Sequence, residues 1–212
     1  MSTGLLGTKV GMTQVFDEKG EVIPVTIIKV GPCYITGIKS IENCGYNAIQ
    51  IGYIETSLDS KSITKPLKGH FLKLNISGYK YLKEYKKENI EDFKIGQKLT
   101  AEEFNVGENI KIRAKTIGKG NVGNIKRNNF NSGAKSHGSK SYRLQGSIGA
   151  GTSPGRVLPG KRMPGRLGMQ QKTISGLKIV GIDLQHNLLV IKGSIPGKAG
   201  NLVNIMKLET IK

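Results

Sequence analysis

Three Pro-Gly pairs in the second half of the chain are each followed at once by a cation. The motifs are Pro154-Gly155-Arg156, Pro159-Gly160-Lys161 and Pro164-Gly165-Arg166, spaced five residues apart. Proline presets φ at the first central position of a type II turn and glycine supplies the positive φ of the second, so each pair predicts such a turn. Five residues span at most about 17 Å. The three cations can therefore meet successive anionic groups, and arginine can hold a phosphate through two hydrogen bonds.

The surrounding stretch carries more basic residues and two aromatic residues that suit a nucleic acid. Tyr142 and Phe130 could stack on bases, although a single aromatic ring more often anchors local packing. The basic residues recur every few positions along a glycine-rich chain. The candidate contacts to an anionic partner are Lys119, Lys126, Arg127, Lys135, His137, Lys140, Arg143, Arg156, Lys161, Arg162, Arg166 and Lys172.

The charge of the chain is concentrated in one window. The sequence has 33 Lys+Arg against 15 Asp+Glu, a formal net charge of +18. Residues 109–182 contain 15 Lys+Arg and no acid, whereas the flanks hold 18 basic and 15 acidic residues. An excess of positive charge destabilises a compact fold because the cations repel one another. It indicates an anionic partner, which is either a nucleic acid or an acidic membrane surface. No apolar run approaches the roughly 18 residues that span a bilayer, so we expect no membrane segment.

Motifs for catalysis and cofactor binding are weak by comparison. Residues 118–123, GKGNVG, match GxGxxG, but a dinucleotide site also needs an apolar helix next and an acid about twenty residues later. The following NIKRNNFNSG does not predict a helix, and no acid appears before Asp183. Asp183 and His186 lie close together, but in a predicted turn where polar residues are expected. No serine stands in a nucleophile elbow, so we predict no enzymatic activity and no cofactor.

The histidines and cysteines do not predict a metal site. None of them shows the paired spacing of zinc ligands; they are His70, His137, His186, Cys33 and Cys44. Two cysteines are too few for a disulfide framework, and on neighbouring strands they are usually small buried hydrophobic residues. The N-terminal residues lack the features of a secretory signal and of a transit peptide, so we expect a reducing compartment.

The elements that must position the basic residues are mainly β-strands. Eight runs rich in Val, Ile, Thr and Tyr are separated by turn residues. They are residues 5–16, 21–30, 34–42, 46–55, 109–117, 173–182, 188–195 and 202–208. A turn at 183–187 joins the sixth and seventh runs as a hairpin. Seven or eight short strands at this spacing favour a closed or nearly closed β-barrel, with residues 66–92 as a small, partly helical insertion on its first sheet.

Residues 118–172 lie between two strands of the predicted barrel and cannot build a core of their own. Twelve glycines occur there, with few large apolar residues. A loop of this length in a compact domain is expected only where it is functional or orders on a partner. We therefore divide the chain into a barrel domain, 1–117 and 173–212, and an arm, 118–172. The alternative is a disordered linker, but linkers favour low-complexity Gly/Ser over spaced Pro-Gly turns.

RNA suits this arm better than DNA. No helix-turn-helix, zinc finger or basic zipper is visible. Large folded RNAs offer narrow clefts between helices, which an irregular basic segment can fill and order within. A free nucleic-acid chaperone or architectural protein is the alternative, and it would bind DNA and unrelated RNAs with comparable affinity.

Several runs of sequence resemble one protein family over essentially the whole chain. They are GLLGTKVGMTQVF at 4–16, PLKGHF at 66–71, GNIKR at 123–127, SHGSKSYR at 136–143, GSIGAGTSPGRVLPGKRMPGRLG at 146–168, KTISGLKIVGID at 172–183 and NLLVIKGSIPG at 187–197. These motifs resemble the universal L3 family of large-subunit ribosomal proteins, in its short bacterial and organellar branch. The form of residues 149–168 is similar to cyanobacterial and plastid relatives.

The resemblance implies a structural protein without catalytic activity, and a six-stranded barrel of the translation-factor type on the subunit surface. It implies an arm that runs inward through ribosomal RNA toward the peptidyl-transferase centre, with Asn128, Asn129 and Phe130 at its tip. It also implies binding near the 3′ end of the large rRNA early in assembly, beside neighbouring ribosomal proteins. Structural Mg²⁺ of the rRNA is the only metal implied, no small-molecule substrate is expected, and the ribosome is that of a bacterial cytoplasm or a plastid stroma.

Two positions depart from the pattern of the family. Many relatives have Trp after the Lys-Arg pair at the inner tip of the arm, where this chain has Asn128 and no tryptophan anywhere. Some bacterial relatives carry a methylated Gln where Arg166 stands. Neither the role of the indole nor the methylation is therefore carried over to this chain.

Overall fold

The structure is a computed structural model that describes residues 4–208. Within this range the chain forms two compact units. The first, called the barrel unit, contains the described residues before Thr116 and after Gln170, and the second, called the arm unit, is Thr116–Gln170. Both are built mainly from strands and irregular chain, which confirms the mainly β prediction.

The regular elements of both units are short, except for two long strands. The strands are β1 (Gly4–Phe16), β2 (Val22–Val30), β3 (Cys33–Lys39), β4 (Ala48–Thr56), β5 (Gly78–Lys86), β6 (Lys98–Leu99), β7 (Asn109–Lys115), β8 (Gly120–Val122), β9 (Gly165–Leu167), β10 (Gln171–Asp183), β11 (Leu188–Lys192) and β12 (Leu202–Lys207). The helices are α1 (Ile41–Cys44), α2 (Lys65–Lys73) and α3 (Asn124–Asn128). None of these helices has the length and apolar character needed to cross a membrane.

Six strands of the barrel unit close into a barrel in the order β1-β12-β7-β10-β11-β2. All six pairs are antiparallel. The strand β7 illustrates why this sequence forms a barrel wall, because Ile110, Ile112 and Ala114 are buried while the residues between them are not. Alternation of this kind places every second side chain in the core. The predicted hairpin over 183–187 is present between β10 and β11.

Two of the predicted barrel strands lie in a second sheet instead. The strands β3 and β4 belong to a four-stranded sheet with the order β5-β4-β3-β6, so the expectation that seven or eight of the runs share one barrel is wrong. The reason is that β2 pairs with β1 on one edge and with β11 on the other. No edge of β2 is therefore free to accept the strand that follows it in the chain.

Residues 66–92 are helical only in their first part. The helix α2 is present, but residues 78–86 form β5, which pairs with β4 along its whole length. In GYKYLKEYK the aromatic residues Tyr79 and Tyr85 are buried, whereas the residues that follow each of them, Lys80 and Lys86, are exposed. The many lysines conceal the strand period of two in the sequence. These residues therefore extend the second sheet rather than forming an insertion on the first.

The arm unit contains one short helix that the sequence did not predict. The GKGNVG run at 118–123 forms β8 and leads into α3, whereas no helix was expected after it. With five residues and no apolar face, α3 does not have the form of a dinucleotide-binding helix. The strand β8 pairs with β9 in a two-stranded sheet, and the chain between Asn129 and Pro164 has no helix or strand.

The two cysteines occupy different environments. Cys33 in β3 is fully buried and its thiol donates a hydrogen bond to the Leu6 carbonyl at 3.4 Å. Burial raises the pKa of the Cys33 thiol to about 12. Cys44 is exposed at the end of α1, so the expectation of two buried cysteines is wrong for Cys44. Both thiols are free.

This difference predicts selective alkylation at neutral pH. Cys44 should react with iodoacetamide in the folded protein, and Cys33 should react more than about a hundredfold more slowly, because the thiolate fraction falls about tenfold for each unit by which the pKa rises. Mass spectrometry of the labelled protein measures both rates. Cys44→Ser should leave the native protein unlabelled until denaturant exposes Cys33. Rapid labelling of Cys33 in the native Cys44→Ser protein would contradict the buried position of β3.

Candidate nucleic-acid interface

The arm unit is closed at its base by backbone hydrogen bonds. The N–H of Thr116 donates to the Gln170 carbonyl at 2.9 Å, and the N–H of Lys119 donates to the Leu167 carbonyl at 2.9 Å. The register then continues as Gly120 opposite Leu167, Asn121 opposite Arg166 and Val122 opposite Gly165. These contacts hold the two ends of a long irregular segment together without an apolar core.

The side chain of Asn124 is the centre of a polar cluster that we call the α3 clamp, formed by Asn124, Arg127 and Asn128. Of residues Thr116–Gln170, all of which the structure describes, Asn124 alone is fully buried, with 2% of its surface exposed. Its Nδ2 donates to the Arg162 carbonyl at 3.1 Å, and its Oδ1 accepts a hydrogen bond from Asn128 Nδ2 at 2.8 Å. The clamp therefore fixes α3 to a segment 38 residues later in the chain.

Arg127 completes the clamp from the other side of α3. Its guanidinium donates to the Met163 carbonyl at 2.6 Å, and Asn128 donates to the same carbonyl at 3.3 Å. A predicted phosphate ligand is thus also a structural residue of the arm unit. Arginine has five N–H donors, so the exposed guanidinium keeps others for an anionic partner.

The Pro-Gly pairs differ in conformation. The predicted type II turn is confirmed at Pro159-Gly160, where Gly160 has φ +79° and the N–H of Lys161 donates to the Leu158 carbonyl at 3.3 Å. Gly155 also has positive φ, at +67°. The prediction is wrong at Pro164-Gly165, because Gly165 belongs to β9 and pairs with Val122. Pairing with β8 imposes an extended backbone there, so Arg166 lies in a strand rather than at the end of a turn.

All twelve predicted cationic contacts are exposed. They are distributed over every part of the arm unit: before β8, on α3, along the irregular chain and on β9. Lys172 is the one candidate outside the arm unit: it lies on β10 of the barrel unit, opposite Ala114. The arm unit contains ten Lys+Arg and no Asp or Glu. No carboxylate within this unit can neutralise the cations, which leaves them available to an external anion.

The predicted aromatic residues lie in different settings. Tyr142 is half-buried, with Lys135 Nζ 5.8 Å and the guanidinium carbon of Arg143 5.6 Å from its ring centroid. The ring borders a cavity of about 490 Å³, whose lining residues are Asn121, Val122, Gly123, Ile125, Lys126, Ser132, Tyr142 and Arg143. An aromatic ring beside cations and amide or hydroxyl groups suits a nucleobase with its phosphate. Phe130, one of the predicted tip residues, is half-buried beside exposed Asn129.

The residues weighed for other chemistry do not form a catalytic or metal centre. Asp183 Oδ2 and His186 Nδ1 lie 2.7 Å apart in the exposed turn between β10 and β11, and the hydrogen bond from His186 holds the pKa of Asp183 below its usual value. Among residues 4–208, no three His, Cys, Asp or Glu side chains come together in a group that could hold a metal ion.

The sequence interpretation missed the most important structural residue of the arm. Asn124 stands in the quoted GNIKR motif, but nothing in its local sequence marks it as buried, because its partner Arg162 is distant in the chain. Asn124 is buried only because the folded chain brings it against Arg162, and a single sequence does not show which distant residues come into contact. Arg127 was predicted as a contact to an anionic partner, but the sequence did not indicate its hydrogen bond to the Met163 carbonyl.

Known proteins similar to this chain cover both units. The family model described as Ribosomal protein L3 matches residues 68–187. The chain is 53% identical to the large ribosomal subunit protein uL3c of Phaeodactylum tricornutum over 206 residues, which is 97% of this chain and 99% of that protein. It is 52% identical to uL3c of Porphyra purpurea over 207 residues, 98% of this chain and 100% of that protein. It is 49% identical to uL3 of Trichormus variabilis over 211 residues, 100% and 99% of the two chains.

The α3 clamp generates a prediction about local stability. Asn124→Ala leaves the Arg162 carbonyl without its donor, and we expect this to cost about 1–3 kcal/mol of local opening free energy. Amide hydrogen exchange in the isolated protein should therefore accelerate in β8 and β9. The chain between Asn129 and Pro164 should exchange rapidly in both proteins, since it has no buried side chain. Exposed Asn131→Ala is the matched control. Unchanged exchange of β8 and β9 in Asn124→Ala would show that the clamp does not hold them.

Proposed function

The chain belongs to the ribosomal protein L3 family, whose members are structural proteins and not enzymes, and we propose that it binds large-subunit rRNA through its arm unit. In this proposal it binds near the 3′ end of that rRNA, nucleates subunit assembly and extends the arm toward the peptidyl-transferase centre. The named relatives are proteins of the large ribosomal subunit.

One observation carries the proposal: the arm unit has ten Lys+Arg, no acid and one buried residue. Cations that cannot be paired internally repel one another, so this unit is stabilised by a partner that supplies negative charge. The phosphates of a folded RNA provide that charge at close spacing, and their clefts fit an irregular chain. The resulting affinity depends strongly on salt.

The proposed phosphate contacts are the twelve candidate residues, with Arg156, Lys161 and Arg166 as the regular set. Lys161 is the last residue of a hydrogen-bonded turn, and Arg156 follows a glycine with positive φ. The local backbone therefore fixes the direction in which each of these side chains begins. Arg166 starts from β9, opposite Asn121. Guanidinium groups hold phosphates through two hydrogen bonds, whereas lysine acts as a point charge. Lys172 contributes from the barrel unit.

The base contact and the tip complete the proposed interface. An unstacked base packs against Tyr142, and the neighbouring Lys135 and Arg143 hold its phosphate. Asn128, Asn129 and Phe130 form the end of the arm nearest the peptidyl-transferase centre. Mg²⁺ bound to the rRNA itself is the only metal this interface requires.

In the proposed arrangement, the barrel unit anchors the protein at the subunit surface. Its six-stranded barrel has the translation-factor type of topology, and its other neighbours are large-subunit ribosomal proteins. The cyanobacterial and plastid character of the relatives supports a ribosome in a bacterial cytoplasm or a plastid stroma. No membrane or small-molecule substrate enters this function.

Neutralising the regular set tests the phosphate contacts. The triple variant Arg156→Gln, Lys161→Gln and Arg166→Gln should bind a large-subunit rRNA fragment more weakly. The slope of log affinity against log salt should fall by up to about one unit for each lost phosphate contact, because fewer counterions are released on binding. Fluorescence anisotropy across a salt series measures both quantities.

A charge-matched control separates these contacts from the general effect of net charge. Neutralising exposed Lys61, Lys73 and Lys192 of the barrel unit removes the same charge and should leave most of the slope unchanged. An unchanged slope in the arm variant would show that its three cations do not meet phosphates. Equal affinity of the parent protein for DNA, unrelated RNA and the rRNA fragment would favour the nucleic-acid chaperone and contradict the proposed function.

Substitution of Tyr142 tests the base contact. Stacking of one base on an aromatic ring contributes about 1–3 kcal/mol, so Tyr142→Ala should weaken binding about 5- to 150-fold with little change in the salt slope. Tyr142→Phe keeps the ring and should bind like the parent protein. The same anisotropy titrations measure all three proteins. A reduced salt slope with unchanged affinity at low salt would show that the ring only positions the nearby cations.

A further inference from the structure

The hairpin of β1 and β2 extends beyond the strands that flank it in the barrel. The pairing of β1 with β12 ends at Thr8, and backbone hydrogen bonds to Gly200 and Asn201 end at Lys9. The pairing of β2 with β11 ends at Val25. Residues 10–24, which we call the hairpin tip, therefore pair only within the β1–β2 hairpin, apart from the Pro24 carbonyl, which accepts a hydrogen bond from the N–H of Gly193 at 2.8 Å. Among residues 4–208, no strand pairs with the outer edge of β1 beyond Lys9.

One face of the hairpin tip is apolar and exposed. Phe16 lies opposite Val22, and Met12 lies four residues before Phe16 on the same side of the strand. Paired residues and alternate residues along a strand share a face. Their side chains are 62%, 54% and 52% exposed, respectively. The exposed pair Gln14 and Pro24 lies on the same face between them. An exposed and largely apolar face of this kind marks an interaction surface.

The charge of the hairpin tip is opposite to that of the rest of the molecule. Asp17, Glu18 and Glu21 stand in the turn against one cation, Lys19. Carboxylates repel phosphates, so this region is unsuited to RNA, and the exposed face of Phe16, Val22, Pro24, Gln14 and Met12 carries no cation to pair with a phosphate. A second copy of the chain would bring the same acidic turn against itself in a two-fold dimer. A basic protein surface with apolar side chains complements both features.

We propose that the hairpin tip docks on a basic protein neighbour within the ribosomal particle. Phe16, Val22 and Met12 are the apolar anchors, and the three carboxylates of the turn pair with Lys or Arg of the neighbour. The free outer edge of β1 from Val10 to Phe16 accepts a strand from that neighbour by backbone hydrogen bonding. This inference rests on the proposed function, because it takes the large ribosomal subunit as the setting.

Photo-crosslinking inside assembled large subunits tests the inference. The photoreactive residue p-benzoylphenylalanine replaces Phe16 in one protein and exposed Leu158 of the arm unit in another. The probe at Phe16 should crosslink to a ribosomal protein, identified by mass spectrometry as a basic chain. The probe at Leu158 should crosslink to rRNA. Crosslinking of the Phe16 probe to rRNA, or to no macromolecule, overturns the inference.

The two probes separate the inference from the proposed function. If the Leu158 probe labels rRNA and the Phe16 probe does not label a protein, only the docking inference fails. If the protein does not enter the subunit, or the Leu158 probe labels no rRNA, the proposed function fails and the inference fails with it.

Charge reversal supplies an independent measurement. In the Phe16-probe protein, Asp17→Lys, Glu18→Lys and Glu21→Lys should abolish the protein crosslink, while affinity for free rRNA is unchanged or increased. Reversal of Glu102 and Glu103 to Lys in the same protein is the control, and it should leave the crosslink intact. If the protein crosslink persists after charge reversal of the turn, the inference that the partner is basic is overturned.

Discussion

A segment without acids cannot neutralise its own cations, and the organisation of this molecule follows from that constraint. The hydrophobic core lies in the barrel unit, while the one buried residue of the arm unit is an asparagine. Hydrogen bonds such as those of Asn124 contribute only about 1 kcal/mol each, and ordering one residue costs about 1–2 kcal/mol of backbone entropy. Hydrogen bonds of this kind alone do not offset the backbone entropy of ordering the arm unit, which is why we propose an anionic partner for it.

The barrel tolerates an insertion as long as the arm unit because the entropic cost of closing a loop rises slowly with its length. Each doubling of a flexible loop costs only about 0.6 kcal/mol. Lys115 and Gln171 are register partners in β7 and β10, so the barrel ladder holds the two chain ends of the excursion close together. The fold can thus keep a closed barrel while the inserted chain carries the ten cations of the arm unit.

Local patterns predicted most strands, and distant pairing explains where the prediction failed. All eight runs of β-branched and aromatic residues form strands, because alternation and turn residues are local properties. The strand β5 was missed since its lysines mask the alternation of Tyr79 and Tyr85. The membership of β3 and β4 in a second sheet depends on which strand edges are already occupied. In the candidate site, composition and spacing identified the exposed cations, but the turn at Pro164-Gly165 was mispredicted because β8 pairs there from more than forty residues away.

The exposed cations of the arm unit serve two purposes that charge alone does not distinguish. Arg127 and Lys161 are both exposed, yet Arg127 holds Met163 through its guanidinium whereas Lys161 leaves a turn closed by backbone atoms. Loss of Arg127 would therefore disturb the shape of the arm and remove a cation at once, while loss of Lys161 removes only a cation. Asn128 carries no charge, and its amide donates to both Asn124 and Met163. At this position the chain therefore joins α3 to the returning segment by hydrogen bonds, where the family resemblance implies an indole in many relatives.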